Sequence, residues 1–389
     1  MTTPTHVAVI GGGILGVSTA AHLVRAGARV TLLTEGSWAS GASGRSIAWL
    51  NSSGDRSAAY HYLRIVGIDR YRSWGAHHPG SERYLRFDGA LKWAGPDESF
   101  RETFDFERRN GYDAVWVERA DIATIAPDVD PDSVAAEGAI FNPGEGWVSM
   151  PDLIAALVAD AVAAGAIVHE NVGRARVDVQ DGVATGVVLA DGSRIEADHV
   201  VLATGPAVPA DLAALGVTIP DATPAAFVLF TDPVDVPVQT VLNTPRVAVR
   251  PTPDGRLVLD ADWAEQSVRV ADDGSLTVPE ESVAGLLEEA SRVLAGHPTL
   301  TASRVGAGLK PIPGDGDPAV GEVPGIRNLS ALFTHSGATL GLILGELVAE
   351  EIVAGAPSPL LDDFRFARFV GETVSEPVAT GAWSPVGED

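Results

Sequence analysis

Three glycines spaced as Gly11-x-Gly13-x-x-Gly16, followed 19 residues later by Glu35, carry the clearest chemistry in this chain. An apolar strand entering such a turn lets the backbone come close to a pyrophosphate. The anion then sits on a helix N-terminus, where unpaired N–H groups and the helix dipole favour negative charge. Gly11 permits the tight turn, Gly13 leaves out the side chain that would block the phosphates, and Gly16 lets helix and strand pack closely. A carboxylate at Glu35 can accept both hydroxyls of a ribose and repels a 2′-phosphate. The pattern predicts a dinucleotide site in which NADP is disfavoured and NAD or FAD remain open. Its plain alternative is an ordinary strand–turn–helix.

Other chemistry is bounded by composition. The 389 residues contain no cysteine, which excludes disulfides, thiolate catalysis, Cys-metal sites and a cysteinyl-flavin bond. Nine histidines show no HxxxH spacing, so no metal is expected. A net charge of −25 argues against nucleic acid and anionic membranes as partners. Arginine outnumbers lysine 25 to two, leaving Lys92 and Lys310 as rare choices.

The elements that must position these residues read as follows. Residues 6–35 form strand, glycine turn, helix and a second strand, Arg29–Thr34, ending at the acid. A Gly/Ser-rich loop, Ser37–Gly54, precedes a helix near Ala58–Trp74. Arg83–Ala94 suggests strands about a Gly89 turn, and Phe100–Asn110 a short helix. Pro151–Ala164 is an apolar helix stopped by Gly165. Strands are expected at Ala166–His169 and Arg174–Val179, then a meander through the turns Asp181-Gly182 and Asp191-Gly192. Val200–Ala203 reads as a buried strand. Ala225–Thr231, Arg246–Arg250 and Arg256–Asp260 read as an antiparallel sheet. A helix over Glu280–Leu294, a strand at Leu329–Phe333 and a long helix over Gly337–Val353 close the chain. No apolar run reaches the roughly 18–20 residues of a membrane span. Without a recognisable signal peptide, a soluble, cytoplasmic protein is expected.

Three further stretches complete the pattern. They are Gly41-Ala-Ser43-Gly44-Arg45-Ser46, then Asp198-His-Val-Val-Leu-Ala-Thr204-Gly205, then Gly308-Leu-Lys310-Pro through Gly321 with Phe333-Thr-His335-Ser-Gly337-Ala-Thr339-Leu-Gly341. In this order and spacing the chain resembles the D-amino-acid oxidase family of FAD-dependent oxidoreductases (glycine oxidase, sarcosine oxidase, D-amino-acid dehydrogenases) over about residues 6–355. The resemblance implies an α/β (α+β) fold, a Rossmann-like FAD-binding domain interleaved with an antiparallel-sheet substrate domain. Residues 1–80, 150–215 and 300–370 would form the first, 81–149 and 216–299 the second, and 371–389 a tail. It implies an enzyme that oxidises the C–N bond of a small amine or amino acid by hydride transfer to flavin N5, with O2 or another acceptor taking the electrons.

The resemblance also implies roles. Gly11, Gly13, Ile14, Leu15, Gly16 and Glu35 would hold the ADP half of FAD. Ser43, Gly44, Arg45 and Ser46 would wrap the pyrophosphate and flavin edge. The backbone near Arg174 would meet adenine, and Thr204-Gly205 would return the chain to the cofactor. Gly337, Ala338, Thr339 and Leu340 would open the last helix under the flavin pyrimidine, where a helix N-terminus stabilises negative charge. Relatives with covalent flavin use a cysteine near Gly308 or a histidine near Ser46–Trp49. Neither is present, so non-covalent FAD is expected. The family's carboxylate-binding arginine in Leu-Arg-Pro is replaced by Lys310, a point charge without the bidentate fork. The sarcosine-oxidase-like lysine of the last-helix loop is Thr339, and the oxygen-activating lysine falls near Val258. Lys310, then Arg250, are the expected substrate anchors, His335 could hydrogen-bond flavin or substrate, and Trp49 and His61 could line the pocket. A hydroxy-acid oxidoreductase, a flavoprotein subunit that needs a partner chain, and an NAD-dependent dehydrogenase are the competing classes.

Overall fold

The computed structural model describes residues 4–371 and divides the chain into two compact units. Among the described residues, unit 1 combines 4–44 with 150–224 and 309–371; unit 2 combines 45–149 with 225–308. The chain first passes between them at 44/45, not near residue 80, because the strand Trp49–Leu50 pairs with Gly146–Val148 and so joins unit 2. The expected tail at 371–389 lies, except for residue 371, outside the described residues.

Unit 1 is built on a six-stranded sheet. Its order is Ala319–Glu322, Leu329–Phe333, His199–Leu202, β1 (His6–Ile10), β2 (Arg29–Leu33) and Ile167–His169. All neighbours run parallel except the edge pair Ala319–Glu322 with Leu329–Phe333. The parallel strands read as continuous apolar runs because both faces are covered; Val7, Ala8, Val9, Val30, Leu32 and Leu33 are fully buried. The expected meander is a three-stranded antiparallel sheet, Arg176–Gln180, Val183–Val188 and Arg194–Glu196.

Helix α1 (Ile14–Arg25) packs on the C-terminal helix Gly337–Ala354. Small residues set that closeness: a Cβ at Gly345 would fall 2.3 Å from the Ser18 hydroxyl oxygen. A side chain there would push the two helices apart.

Unit 2 holds an eight-stranded sheet ordered Ala302–Leu309, Ala225–Thr231, Leu257–Asp260, Ala248–Pro251, Val241–Asn243, Ala90–Lys92, Ala139–Asn142 and Val115–Val117. The expected antiparallel strands are its centre, but Ala90–Lys92 pairs parallel with Val241–Asn243. The Gly89 segment is not a hairpin, since Leu85–Arg86 pairs into a separate three-stranded sheet with Gly146–Val148. Alternation decides the two faces of the large sheet. Leu91, Leu242, Val249, Leu257, Leu259 and Phe227 fill one apolar core. The intervening positions put Lys92, Asn142, Asn243, Ala248 and Arg250 on the opposite face. Helix α2 (Ala58–His77) begins at Ser57, whose hydroxyl caps the Tyr60 N–H.

Candidate cofactor and substrate site

In unit 1 the turn after β1 takes the conformation its glycines allow. Gly11 has φ +136°, and a Cβ there would fall 2.2 Å from the Ala203 carbonyl oxygen. Gly13 is the N-terminal cap of α1, with no side-chain cap of its own and no acid in the first turn. A Cβ on Gly13 would stand 3.1 Å from the Ser43 hydroxyl, so a larger residue would fill the cradle. Ser43 reaches the same place from the other side, its hydroxyl accepting the Ile14 N–H at 3.0 Å. Leu15 and Gly16 are buried within the first turn. Gly44 stands close under the Ala39 carbonyl, where a Cβ would lie at 2.2 Å.

Glu35 follows β2 and is exposed, and its carboxylate makes no hydrogen bond among the described residues. Its carbonyl accepts the Gly173 N–H, drawing the segment before Arg174 to the strand end. Arg174 is exposed and pairs with Asp211 at 2.6 Å, and Asp211 also accepts the Thr204 hydroxyl at 2.6 Å. Those bonds raise the Arg174 pKa. Asp211, absent from the sequence reading, thus ties two expected cofactor residues together. Gly205 has φ +60° and opens the turn that follows.

Gly337 begins the C-terminal helix 3.6 Å, by its built Cβ, from Ile14 Cγ2, so the two helix starts are neighbours. The cap residue Ser336 makes no side-chain cap and the first turn holds no acid. Ala338 is half-buried, Thr339 is buried, and the Leu340 N–H is committed to the Ser336 carbonyl. His335 is exposed just before this helix. Lys310 is half-buried, its backbone N–H on the Pro224 carbonyl.

The remaining expected residues belong to unit 2. Arg45 is exposed and lies along Gly306 and Gly308, where a Cβ would come within 3.4 Å of its stem. The Ser46 hydroxyl accepts the Ala48 N–H. Arg250 is buried, its Nε donating to the Ile47 carbonyl at 2.7 Å and a terminal nitrogen to the Pro251 carbonyl at 2.9 Å. Those bonds make it a brace for the loop at Ile47, which the sequence reading did not anticipate.

Beside that brace is a buried polar cluster whose extent the sequence reading missed. Lys92 donates to Glu107 and to the Ser53 hydroxyl. Glu107 also takes the Asn142 amide at 3.1 Å and the Gly54 N–H at 3.0 Å. Glu145 is fully buried; it accepts the Tyr112 hydroxyl and, at 2.7 Å, the Trp49 indole N–H. Burial pushes the Glu145 pKa up to about 8, with Lys92 opposing. The Tyr112 hydroxyl is also bonded to the Ser52 N–H, and the Ser52 hydroxyl to His61 Nδ1. Burial lowers the His61 pKa. The advance signals for this cluster are the rarity of lysine and the expectation that Trp49 and His61 line the pocket. No His/Cys/Asp/Glu group among the described residues is arranged to hold a metal, and no described helix is long and apolar enough to cross a membrane.

The tight Gly11 turn, the start of α1 at Gly13 with no acid in its first turn, and the exposed Glu35 carboxylate after β2 suit a dinucleotide. Comparison with known proteins agrees. Residues 6–351 match the family described as DAO, FAD dependent oxidoreductase, and the chain belongs to that family. It is an FAD-dependent oxidoreductase. A glycine oxidase of Geobacillus kaustophilus is 25% identical, over 95% of this chain and 99% of that protein. The crystal structure of glycine oxidase from that organism superposes with a TM-score of 0.78 at 24% identity, covering 95% of this chain and all (100%) of that one. An L-amino acid deaminase from Proteus myxofaciens gives a TM-score of 0.81 at 16% identity, covering 95% and 94%. An iminodiacetate oxidase from Chelativorans gives 0.75 at 22%, covering 92% and 98%.

Proposed function

We propose that this chain oxidises the C–N bond of a small amine or amino acid that carries a carboxylate, giving an imine that water hydrolyses. The observation that carries the reading is the family match over nearly the whole chain, joined to a glycine turn and helix start with no acid in the first turn. Bound FAD supplies the hydride acceptor. In this reading the turn and helix start formed by Gly11, Gly13, Ile14, Leu15 and Gly16 hold the pyrophosphate, and Glu35 accepts the ribose hydroxyls. Ser43, Gly44, Arg45 and Ser46 wrap the phosphates and the flavin edge, and Arg45 contributes its charge. The segment at Arg174 and the Thr204-Gly205 turn, held by Asp211, bound the adenine half. The helix start at Gly337, Ala338, Thr339 and Leu340 favours negative charge on the flavin pyrimidine. FAD is held without a covalent bond, since the chain has no cysteine and no histidine over 43–49.

Lys310 is the proposed electrostatic anchor for the substrate, and His335 a hydrogen-bonding neighbour of the cofactor. Arg250 is a second anchor in this proposal, its Nε bracing the Ile47 carbonyl and so orienting that loop. The reaction removes a hydride from carbon and a proton from nitrogen, so the amine must arrive neutral. The same proposal has O2 or another acceptor reoxidise the cofactor and keeps the protein in the cytoplasm.

The reading is tested by product analysis of turnover with amino and N-alkylamino acids. Carbonyl product and released ammonia or amine in equal amounts support it. Turnover of hydroxy acids alone, with no nitrogen released from any amine, would reject it. In Lys310→Met, an anchoring role raises KM in the reductive half-reaction, while a role toward O2 slows only reoxidation.

A further inference from the structure

Two carboxylates of unit 1 compete for one guanidinium. Arg174 donates a terminal N–H to Asp211 Oδ1 at 2.6 Å, and Asp211 Oδ2 accepts the Thr204 hydroxyl at 2.6 Å. Asp211 and, more weakly, the Glu35 carboxylate hold the Arg174 pKa up. Glu35 nonetheless makes no side-chain hydrogen bond or ion pair among the described residues.

The topology brings the three together. The strands His199–Leu202 and Ile167–His169 flank β1 and β2, and all four run parallel, so they end on the same side of the sheet. Just before Thr204, the Ala203 N–H donates to the Ile10 carbonyl at the end of β1. On the other flank the N–H groups of Val172 and Gly173 donate to the carbonyls of Thr34 and Glu35, which sets Arg174 beside the end of β2. The pair of Asp211 and Arg174 thus crosses the ends of β1 and β2, where the Gly11 turn follows the one and Glu35 the other. A guanidinium meets a carboxylate through a fork that can occupy both oxygens. Seated on Glu35, Arg174 would take the acceptor that a ribose needs. An exposed ion pair adds little stability, so the effect of Asp211 lies in where it sends the Arg174 charge.

We propose that Asp211 is a positioning residue for the cofactor, holding Arg174 away from Glu35 and so keeping that carboxylate open to the ribose hydroxyls of FAD. The proposal rests on Glu35 as the ribose acceptor and adds to it a residue that acts through another. All of its parts belong to unit 1.

The test is the Kd for FAD of the full chain, read from the flavin fluorescence released when the loaded protein is diluted. It needs no turnover. Asp211→Asn keeps an oxygen for the Thr204 hydroxyl and removes the charge that holds Arg174, so it should weaken FAD on the order of tenfold. Arg174→Gln should stay within about threefold of wild type. Asp211→Asn combined with Arg174→Gln should return to the level of Arg174→Gln, because the competing guanidinium is gone. A merely structural Asp211 would show no such rescue. In a Glu35→Ala background, Asp211→Asn should change the affinity by less than about twofold. Asp211→Ser takes the place of the asparagine variant if that fails to fold. A folded Asp211 variant within about twofold of wild type overturns the proposal, as does a double variant no better than Asp211→Asn alone. If Glu35→Ala itself leaves FAD affinity unchanged, the ribose role of Glu35 falls and the proposal with it. A Glu35→Ala that weakens FAD beside an inert Asp211→Asn rejects only the role of Asp211.

Discussion

The hydroxyl of Ser43 accepts the backbone N–H of Ile14 at 3.0 Å, so the loop after β2 closes the first donor of α1. The residues lie 29 positions apart, and the bond does across the fold what a local cap does along the chain. Ser43→Ala leaves that N–H to solvent and should cost about 0.5–2 kcal/mol of stability. Ser43→Thr should restore most of it. Thermal melts of the three proteins under one buffer decide this, and equal melting temperatures would remove the capping role.

Glu35, just past β2, carries an exposed carboxylate that makes no hydrogen bond among the described residues. Glu35→Ala should therefore weaken FAD by roughly 1.5–3 kcal/mol while leaving the apoprotein as stable as before. Gly13→Val should be worse, because its side chain would enter the space beside the Ser43 hydroxyl. Equilibrium dialysis of FAD against each apoprotein measures both effects.

Lys92 is buried against Glu107, with Glu145 also within its field. Removing the cation leaves buried carboxylates without compensation, which typically costs about 3–5 kcal/mol. Lys92→Met should unfold at markedly lower urea concentration than wild type. A double variant, Lys92→Met with Glu107→Gln, should recover part of the loss. No recovery in the double variant would show that the pair is not coupled.

His199 opens the strand His199–Leu202 of unit 1 with Nε2 on the Ser330 hydroxyl at 2.9 Å, and burial pushes its pKa down to about 4. Its unfolded value is near 6.5. The unfolded chain therefore takes up this proton first as pH falls. The associated stability is fully present above about pH 6.5 and is lost progressively toward pH 4, on the order of 3 kcal/mol when complete. His199→Gln should flatten the decline of melting temperature over that window. A variant with the wild-type slope would assign the acid sensitivity to other groups.

The sequence made the cofactor half of the fold legible because its signals are local. Gly11, Gly13 and Gly16 sit within six residues, and the apolar runs of β1, β2 and 199–202 have the unbroken pattern that buried parallel strands require. The substrate half was less legible. Lys92, Glu107, Tyr112 and Glu145 come from four separate segments, and none has a local pattern that marks it as buried. Arg250 illustrates the same limit: its strand was visible, but its bond to the Ile47 carbonyl joins positions 203 residues apart. The Ala302–Leu309 strand was missed because its burial is mostly one of exposure, giving no apolar run to read. Asp211 likewise carries no local mark in the sequence, and only the fold brings Arg174 and Thr204 onto it.

This chain binds FAD, and the reaction proposed for it passes the flavin a hydride from an amine. Anaerobic mixing of the purified yellow protein with a panel of amino, N-alkylamino and hydroxy acids tests it most directly. The expected result is loss of the flavin absorption with at least one amine, none with the matched hydroxy acid, and full release of the flavin by trichloroacetic acid. A colourless protein that binds no FAD, or a flavin bleached by hydroxy acids and by no amine, would contradict it.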